Sequence, residues 1–502
     1  MLNNSPIFLS FALAGSLLLT ACGGESNSSQ DTAAPTLSNL VPNNRTVTHS
    51  RQVMITGTAT DDVELKSVVI NNGDQSVIAT LNEGVFSALI TANAGENTYT
   101  VIATDTSDND TASQASFYFG SQASAGGAHS GVIKNGKAYL WGRNNKGQVG
   151  IGASTKISDN SEATPAVHPV TPTLISDIQF VSLALAQNSS SALDVNGQVW
   201  SWGYGKNGQL GLGIADDGII DNTDHTRPVK IEGLSNIVAI SRSNNHALLL
   251  KGDGTLLAFG DNSKGQLGDG TTEHQDTPVA IPNLSNIVQI SASAASYAID
   301  EDGRLWAWGS NRNGQLANGM KDSDTHPTPT QVTIDEAVIS IASGKGHAIA
   351  LTESGKIYGW GLNFSSQVGM RPKDTTTAEE VWDADILTPK LLPWFDDAVA
   401  IWAKGNQSFV KRSDGKVYPW GQNMMGTLGI EADDNVTQPS SPILELGNVA
   451  DLGNGALHTL AIRNDGEVFA WGWSFEGSLG GGESTIHRWT YKLPIAITVG
   501  QN

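Results

Sequence analysis

The chain has 502 residues, a formal net charge of −21, 55 glycines and one cysteine. That length allows two or three ordinary domains. So acidic a surface repels phosphate backbones and argues against a dedicated nucleic-acid binder, while a single cysteine excludes an intrachain disulfide or a thiolate zinc cage.

Near its start the chain carries "IFLSFALAGSLLLTA", residues 7–21, an apolar run of 15 residues. The run is short for a membrane span and has the length of a signal-peptide core. It ends in "LTAC", residues 19–22, which resembles the lipobox of bacterial lipoproteins. The resemblance implies that residues 1–21 are a cleaved leader and that Cys22 carries lipid on an exported, envelope-anchored protein. Gly23, in place of Asp, implies the outer membrane. The leader departs from the pattern in having no Lys or Arg before Cys22. Residues 22–34 are polar and read as a flexible tether.

Residues 35–119 alternate with period two. Val53, Ile55 and Ala59 share one face of "VMITGTAT", Tyr99, Val101 and Ala103 one face of "NTYTVIATD", and Phe117 and Phe119 one face of "ASFYF". Short alternating runs separated by Asn, Asp and Gly predict a β-sandwich. "GTATDDVELKSVVI" and "GENTYTVIATDTSDND" resemble the immunoglobulin-like modules of secreted bacterial proteins. Asp61, Asp62, Asp105, Asp108 and Asp110 have the oxygen chemistry of calcium ligands. Asp and Asn also cap turns, which is the better reading of these residues.

From residue 121 the chain repeats itself. The turns Asn135-Gly136, Asn196-Gly197, Asp253-Gly254, Asp302-Gly303, Ser354-Gly355, Asp414-Gly415 and Asp465-Gly466 recur at intervals of 49 to 61 residues. Asn-Gly and Asp-Gly predict type I′ hairpins, with positive φ at both central residues. Each turn leads to an aromatic strand ending in Trp-Gly, or Phe259-Gly260 in the third copy. About 50 residues per unit fits a four-stranded propeller blade better than a helical solenoid. The fold class is therefore all-β: an immunoglobulin-like β-sandwich over 35–119, followed by seven blade-sized units over residues 121–502. One aromatic per blade reads as packing core. The first copy starts mid-unit and "KLPIAITV" is left at the end, which predicts a closing blade built from strands of both ends.

The second copy contains "GYGKNG", with Gly203, Gly205 and Gly208 at the spacing of a dinucleotide loop. Alignment removes that meaning. Gly205 stands where other copies have Asn144, Asn262, Asn311, Asn363, Asn423 or Ser474, and no helix follows to receive a phosphate. No cofactor is expected. Asn and Gly share a tolerance for left-handed backbone, so the column is expected to select a turn conformation. Gln148, Gln209, Gln266, Gln315 and Gln367 are expected to satisfy main-chain groups of the turn. These columns, as in "GGAHSGVIKNGKAYLWGRNNKGQVGIG", resemble the repeats of the regulator of chromosome condensation family, which implies a seven-bladed β-propeller over residues 121–502. His129, His246, His347 and His458 fill that family's histidine column, with Ser189 and Gln407 in two other copies. Their repetition points to a recurrent hydrogen bond rather than a metal.

On a repeated scaffold, function is sought where the copies differ. Three connections are long: "STKISDNSEATPAVHPVTPT", "IADDGIIDNTDHTRP" and "MRPKDTTTAEEVWDADILTPKLLPWFDD". The third unites aromatic and acidic residues as an interface does. Its Trp382, Trp394, Asp383, Asp385, Glu379 and Glu380 are the candidate partner-binding residues. Asp216, Asp217, Asp221 and Asp224 of the second connection are calcium candidates. No H-E-x-x-H, P-loop or G-x-S-x-G elbow occurs, so no catalytic, cofactor or metal residue is assigned and no enzyme is expected. The function expected is that of a monomeric, lipid-anchored envelope protein whose propeller binds another protein and whose sandwich acts as a spacer. The resemblance also implies an alternative, guanine-nucleotide exchange on a small GTPase. A glycan-active enzyme built from loop carboxylates is the third possibility.

Overall fold

The computed structural model describes residues 31–42, 46–73, 75–154, 168–213, 221–370, 385–432, 435–444, 446–482 and 489–500. Cys22 and the leader lie outside them. No helix among the described residues is long and apolar enough to cross a membrane.

The first unit is a two-sheet sandwich. One sheet orders the strands Thr36–Val41, Gln52–Thr60, Val85–Thr91 and Thr80–Asn82. The other orders Thr46–Thr48, Asp110–Phe119, Gly95–Asp105, Leu65–Asn71 and Ser76–Ile78. The alternation meets in one core: Val53, Ile55, Ala59, Tyr99, Val101, Ala103, Phe117 and Phe119 are all buried. Gly57 belongs to the same buried row, where a Cβ would lie 2.5 Å from the Phe86 ring.

The second unit is a ring. Among the described residues it contains seven consecutive sheets, six of four strands and one of three. The first strand of each sheet is innermost: Ala123–Ala125, Phe180–Leu185, Ile237–Arg242, Ile287–Ala292, Val338–Ser343, Ala398–Lys404 and Val449–Asn454. Neighbouring inner strands pack side by side around a central channel, and the last touches the first.

Each blade uses one continuous stretch of chain, so the expected mixed blade does not form. Ala123–Ala125 is already a complete inner strand of blade one, and Trp489–Ile497, which contains "KLPIAI", is the outer strand of blade seven. Closure is by lateral packing. Asp451 Oδ2 accepts the N–H groups of Gln122 (2.8 Å) and Ala123 (3.0 Å), and the Ala456 N–H donates to the Gly126 carbonyl.

The hairpins also differ from expectation. Asn135-Gly136 has positive φ at both residues, 53° and 74°. In the other six pairs the glycine alone is left-handed, and its N–H donates to the carbonyl three residues back, as Gly197 does to Asp194. That is a type I turn closed by a left-handed glycine, the three-residue hairpin with a bulge.

The sandwich is seated on the ring, not held away from it as a spacer. The Tyr118 hydroxyl donates to the Val181 carbonyl (2.8 Å), and the Arg51 N–H to the Val288 carbonyl (2.8 Å). The Arg51 guanidinium donates to the Gly252 carbonyl, and His49 Nε2 lies 3.4 Å from Asp451. These contacts fall where inner strands begin and at a hairpin joining second and third strands, which is one end of the ring. His49, Phe119 and Gly120 therefore floor the channel. The inner turns and the long connections emerge at the opposite end.

Candidate functional site

The repeats converge on one main-chain oxygen at each blade boundary. Trp141, Trp202, Trp308, Trp360, Trp420 and Trp471 are fully buried. Their indole N–H groups donate to the carbonyls of Ser478, Gln148, Gln266, Gln315, Gln367 and Thr427 respectively, at 2.9–3.0 Å. A second donor completes each oxygen: the hydroxyls of Ser130, Ser190, Ser296, Tyr297, Ser408 and Thr459. Blade three has Phe259, which offers no N–H. There the Gln209 carbonyl is taken by the Arg242 guanidinium. A buried carbonyl left unpaired costs ~1–3 kcal/mol, so this departure carries its own replacement donor.

The histidine column serves the same boundaries. His129, His246, His347 and His458 reach Ser190 (3.0 Å), Ser296 (2.8 Å), Ser408 (2.8 Å) and Ser130 (2.7 Å) of the following blade. Where the histidine is Ser189, Ala295 or Gln407, the following blade carries Ala247, Ala348 or Thr459 in place of that serine. Burial holds the imidazoles low, His129 and His347 at about 3 and His246 and His458 at about 4. They are neutral links between blades.

The glycine-rich loop is a hydrogen-bonded turn. The side-chain oxygens of Asn144, Asn262, Asn311, Asn363 and Asn423 each accept the N–H five residues on. Those of Gln148, Gln266, Gln315 and Gln367 accept the N–H two residues back. The column does sit in a turn, but none of these asparagines is left-handed and Gly205 has φ −105°, so tolerance of left-handed backbone is not the reason for it. Gly205 is required by proximity: a Cβ there would lie 1.7 Å from the Thr223 carbonyl oxygen.

Inside the ring the channel encloses about 830 Å³. The wall is mainly small residues, interrupted by Arg242, Lys404 and the rim residues Lys264, Arg312 and Lys345. Asp261 is the one carboxylate in the lining among the described residues.

The structure divides the candidate partner-binding set. Trp382, Asp383, Glu379 and Glu380 lie outside the described residues. Asp385 is 3.0 Å from the Lys321 ammonium of blade four. Trp394 is 39% exposed and donates its indole N–H to the Gly369 carbonyl (3.0 Å). The strand Ile386–Leu392 runs between Asp385 and Trp394, which separates them by roughly 20 Å. The supposed long loop therefore contains the outer strand of blade five. Sequence reasoning missed four exposed apolar residues on the loop end: Met320, Phe364, Met424 and Met425, 40–66% accessible. The signal was present, since Phe364 and Met424 stand in a column filled by Asn145, Lys206, Ser263 and Arg312 in four other copies, with Phe475 in the seventh.

Of the calcium candidates in the sandwich, Asp61 and Asp105 come together with Asp31, their carboxylate oxygens within 4.8 Å of one another. Asp108 instead pairs with Lys66. In the second connection, Asp216 and Asp217 lie outside the described residues. Asp221 holds His225 (2.8 Å), and Asp224 lies 3.3 Å from Lys146.

Comparison with known proteins finds two families, whose matches overlap over residues 92–117. A family model described as RCC1-like domain matches residues 92–388 and 218–499. One described as glucodextranase, domain B, matches residues 35–117. The chain is 30% identical over 388 residues to the ultraviolet-B receptor UVR8 of Arabidopsis thaliana, covering 75% of this chain and 82% of that protein. It is 28% identical over 360 residues to the E3 ubiquitin-protein ligase HERC2 of Mus musculus, covering 69% of this chain but 7% of that one. The solved structure of Kap60 bound to yeast RCC1 (Prp20) matches with a TM-score of 0.59 at 24% identity, over 72% of this chain and 83% of that one. This last likeness is one of fold.

Proposed function

The chain belongs to the RCC1-like domain family, and on that premise we propose that it is a non-enzymatic protein-binding scaffold, held at the bacterial envelope by lipid on Cys22. The relatives' names cover a light receptor and a ubiquitin ligase, and the yeast protein is bound to Kap60. What they share with this chain is the ring rather than one chemistry, so function is sought on its variable end.

The observation that carries the proposal is the apolar exposure of that end. Met320 of blade four, Phe364 of blade five, and Met424 and Met425 of blade six are exposed on connections leaving the same end of adjoining blades. Exposed aromatic and methionine side chains on a rigid support are the makings of an adaptable protein interface. The sandwich contacts fall at the other end. Anchoring rests on the lipobox resemblance, with the outer membrane as the proposed location.

The test is affinity capture from envelope extracts with the full chain, beside a Phe364→Asp/Met424→Asp variant and a variant shortened within 371–384. Trimming must stop at 384 to spare the strand Ile386–Leu392. A partner retained by the parent and lost from the aspartate variant supports the face. A partner captured equally by all three refutes it. Palmitate labelling should disappear in Cys22→Ala, and labelling that persists would remove the anchor.

A further inference from the structure

One residue of the inner turns is out of step with the repeat. The position whose N–H closes the turn is Gly126, Ala186, Ser243, Ser293, Gly344 and Gly455 in six blades, and Lys404 in the remaining one. Space explains the small residues. A Cβ on Gly126 would lie 2.1 Å from the Ala186 carbonyl, and one on Gly344 would lie 2.8 Å from that of Gly405. Lys404 instead reaches across the channel from blade six. Its ammonium donates to the carbonyls of Ala125 and Leu185 in blades one and two, each at 2.7 Å. Those two bonds leave one of its three protons for another acceptor. No carboxylate pairs with it among the described residues.

Other cations gather in the same lining. Lys345 and Arg312 are exposed at the open rim and have no acid partner among the described residues. The Lys264 ammonium rests on the Ser323 carbonyl. Arg242, 5% exposed, bonds to the hydroxyls of Ser189 and Ser191 and to a carbonyl, and its Nε has no partner. The lone carboxylate, Asp261, is engaged by His274 at 3.1 Å. A chain of net charge −21 thus holds a pit whose wall is mainly small residues and whose charged groups are mostly cations. Low-dielectric walls focus such a field, and a buried charge is costly without a counter-charge. Burial lowers the Lys404 amine to about 8, which leaves it protonated at neutral pH.

We propose that the channel binds a small polyvalent oxyanion, of the phosphate or polycarboxylate class, held by Lys404 and steered in by Lys345 and Arg312. A cavity of about 830 Å³ suits a small-molecule ligand, and charge-assisted N–H···O bonds supply the recognition.

Isothermal titration of the full chain with pyrophosphate and with citrate tests this at low ionic strength. The expected result is saturable one-to-one binding of at least one anion, weakening with salt. Which anion binds identifies the class. Lys404→Met should lower the affinity at least tenfold, and Arg312→Ala/Lys345→Ala severalfold. Lys404→Met removes an uncompensated charge and should fold, which a thermal melt without anion checks; the anion should raise the parent's melting temperature and leave that of Lys404→Met unmoved. Absence of saturable binding at millimolar anion, or binding unchanged in both variants, overturns the proposal. Neither result bears on protein capture at the loop end.

Discussion

At Gly205 two reasons for glycine, backbone conformation and lack of room, lead to opposite expectations. Six copies have Asn or Ser at this position, so Gly205→Asn would restore the residue usual in the repeat. The Thr223 carbonyl, 1.7 Å from where a Cβ would stand, makes the opposite prediction: a loss of ~1–3 kcal/mol, seen as a lower urea midpoint. An unchanged midpoint would show that the Thr223 segment yields. The His347–Ser408 bond gives a second residue-scale test. Each single alanine substitution should cost ~1–3 kcal/mol, and the double variant less than their sum. Strict additivity would mean that the two side chains are not coupled.

At the scale of the element, blade three shows how a strand departs from its repeat without losing a donor. Phe259 removes the indole N–H, and Arg242 of the same blade supplies the bond to Gln209 instead. Arg242→Leu should therefore destabilise by ~2 kcal/mol or more. Adding Phe259→Trp should recover part of that loss, because the returning indole faces the same carbonyl. Failure to recover any would mean that the bonds to Ser189 and Ser191 dominate. The strands were legible because burial imposes period two, as at Tyr99, Val101 and Ala103. The hairpin type was not, since Asn-Gly and Asp-Gly suit both a two-residue turn and a type I turn ending on glycine. Nor was the pairing of histidine with the next blade's serine, which joins positions 50 to 61 residues apart. The loop-end face was only half legible: the acidic insertion drew attention, while Phe364 and Met424 lay inside the repeated part of the motif.

At the scale of the whole molecule, protonation acts on the two units in opposite directions. Four ring histidines titrate at about 3 to 4 when folded, against ~6.5 in an unfolded chain. The unfolded state binds more protons between those values, so stability present above pH ~6.5 is lost as pH falls toward 4. His49 behaves in reverse. Burial lowers it, but the Asp451 carboxylate outweighs that and holds it above its ordinary value. Its contribution is full below pH ~6.5 and is lost as pH rises through the raised value. The melting temperature should therefore fall between pH 7.5 and 5, and a flat profile would show that the histidines are not buried neutral. His49→Ala should steepen the fall, since the compensating contact is gone.

The contiguous blades have a mechanical consequence. The ring is a split washer rather than a clasped bracelet: among the described residues no strand crosses the gap between blades seven and one, and side-chain and main-chain contacts hold it shut. The rivet is Asp451. One carboxylate takes two N–H groups from the lead-in to blade one, the indole N–H of Trp402 in blade six (3.2 Å) and the imidazole of His49 in the sandwich. A tug on the sandwich is thus delivered to the split itself, and Asp451→Asn is expected to loosen the plug, the gap and the neighbouring blade together, read as a single lowered melting transition.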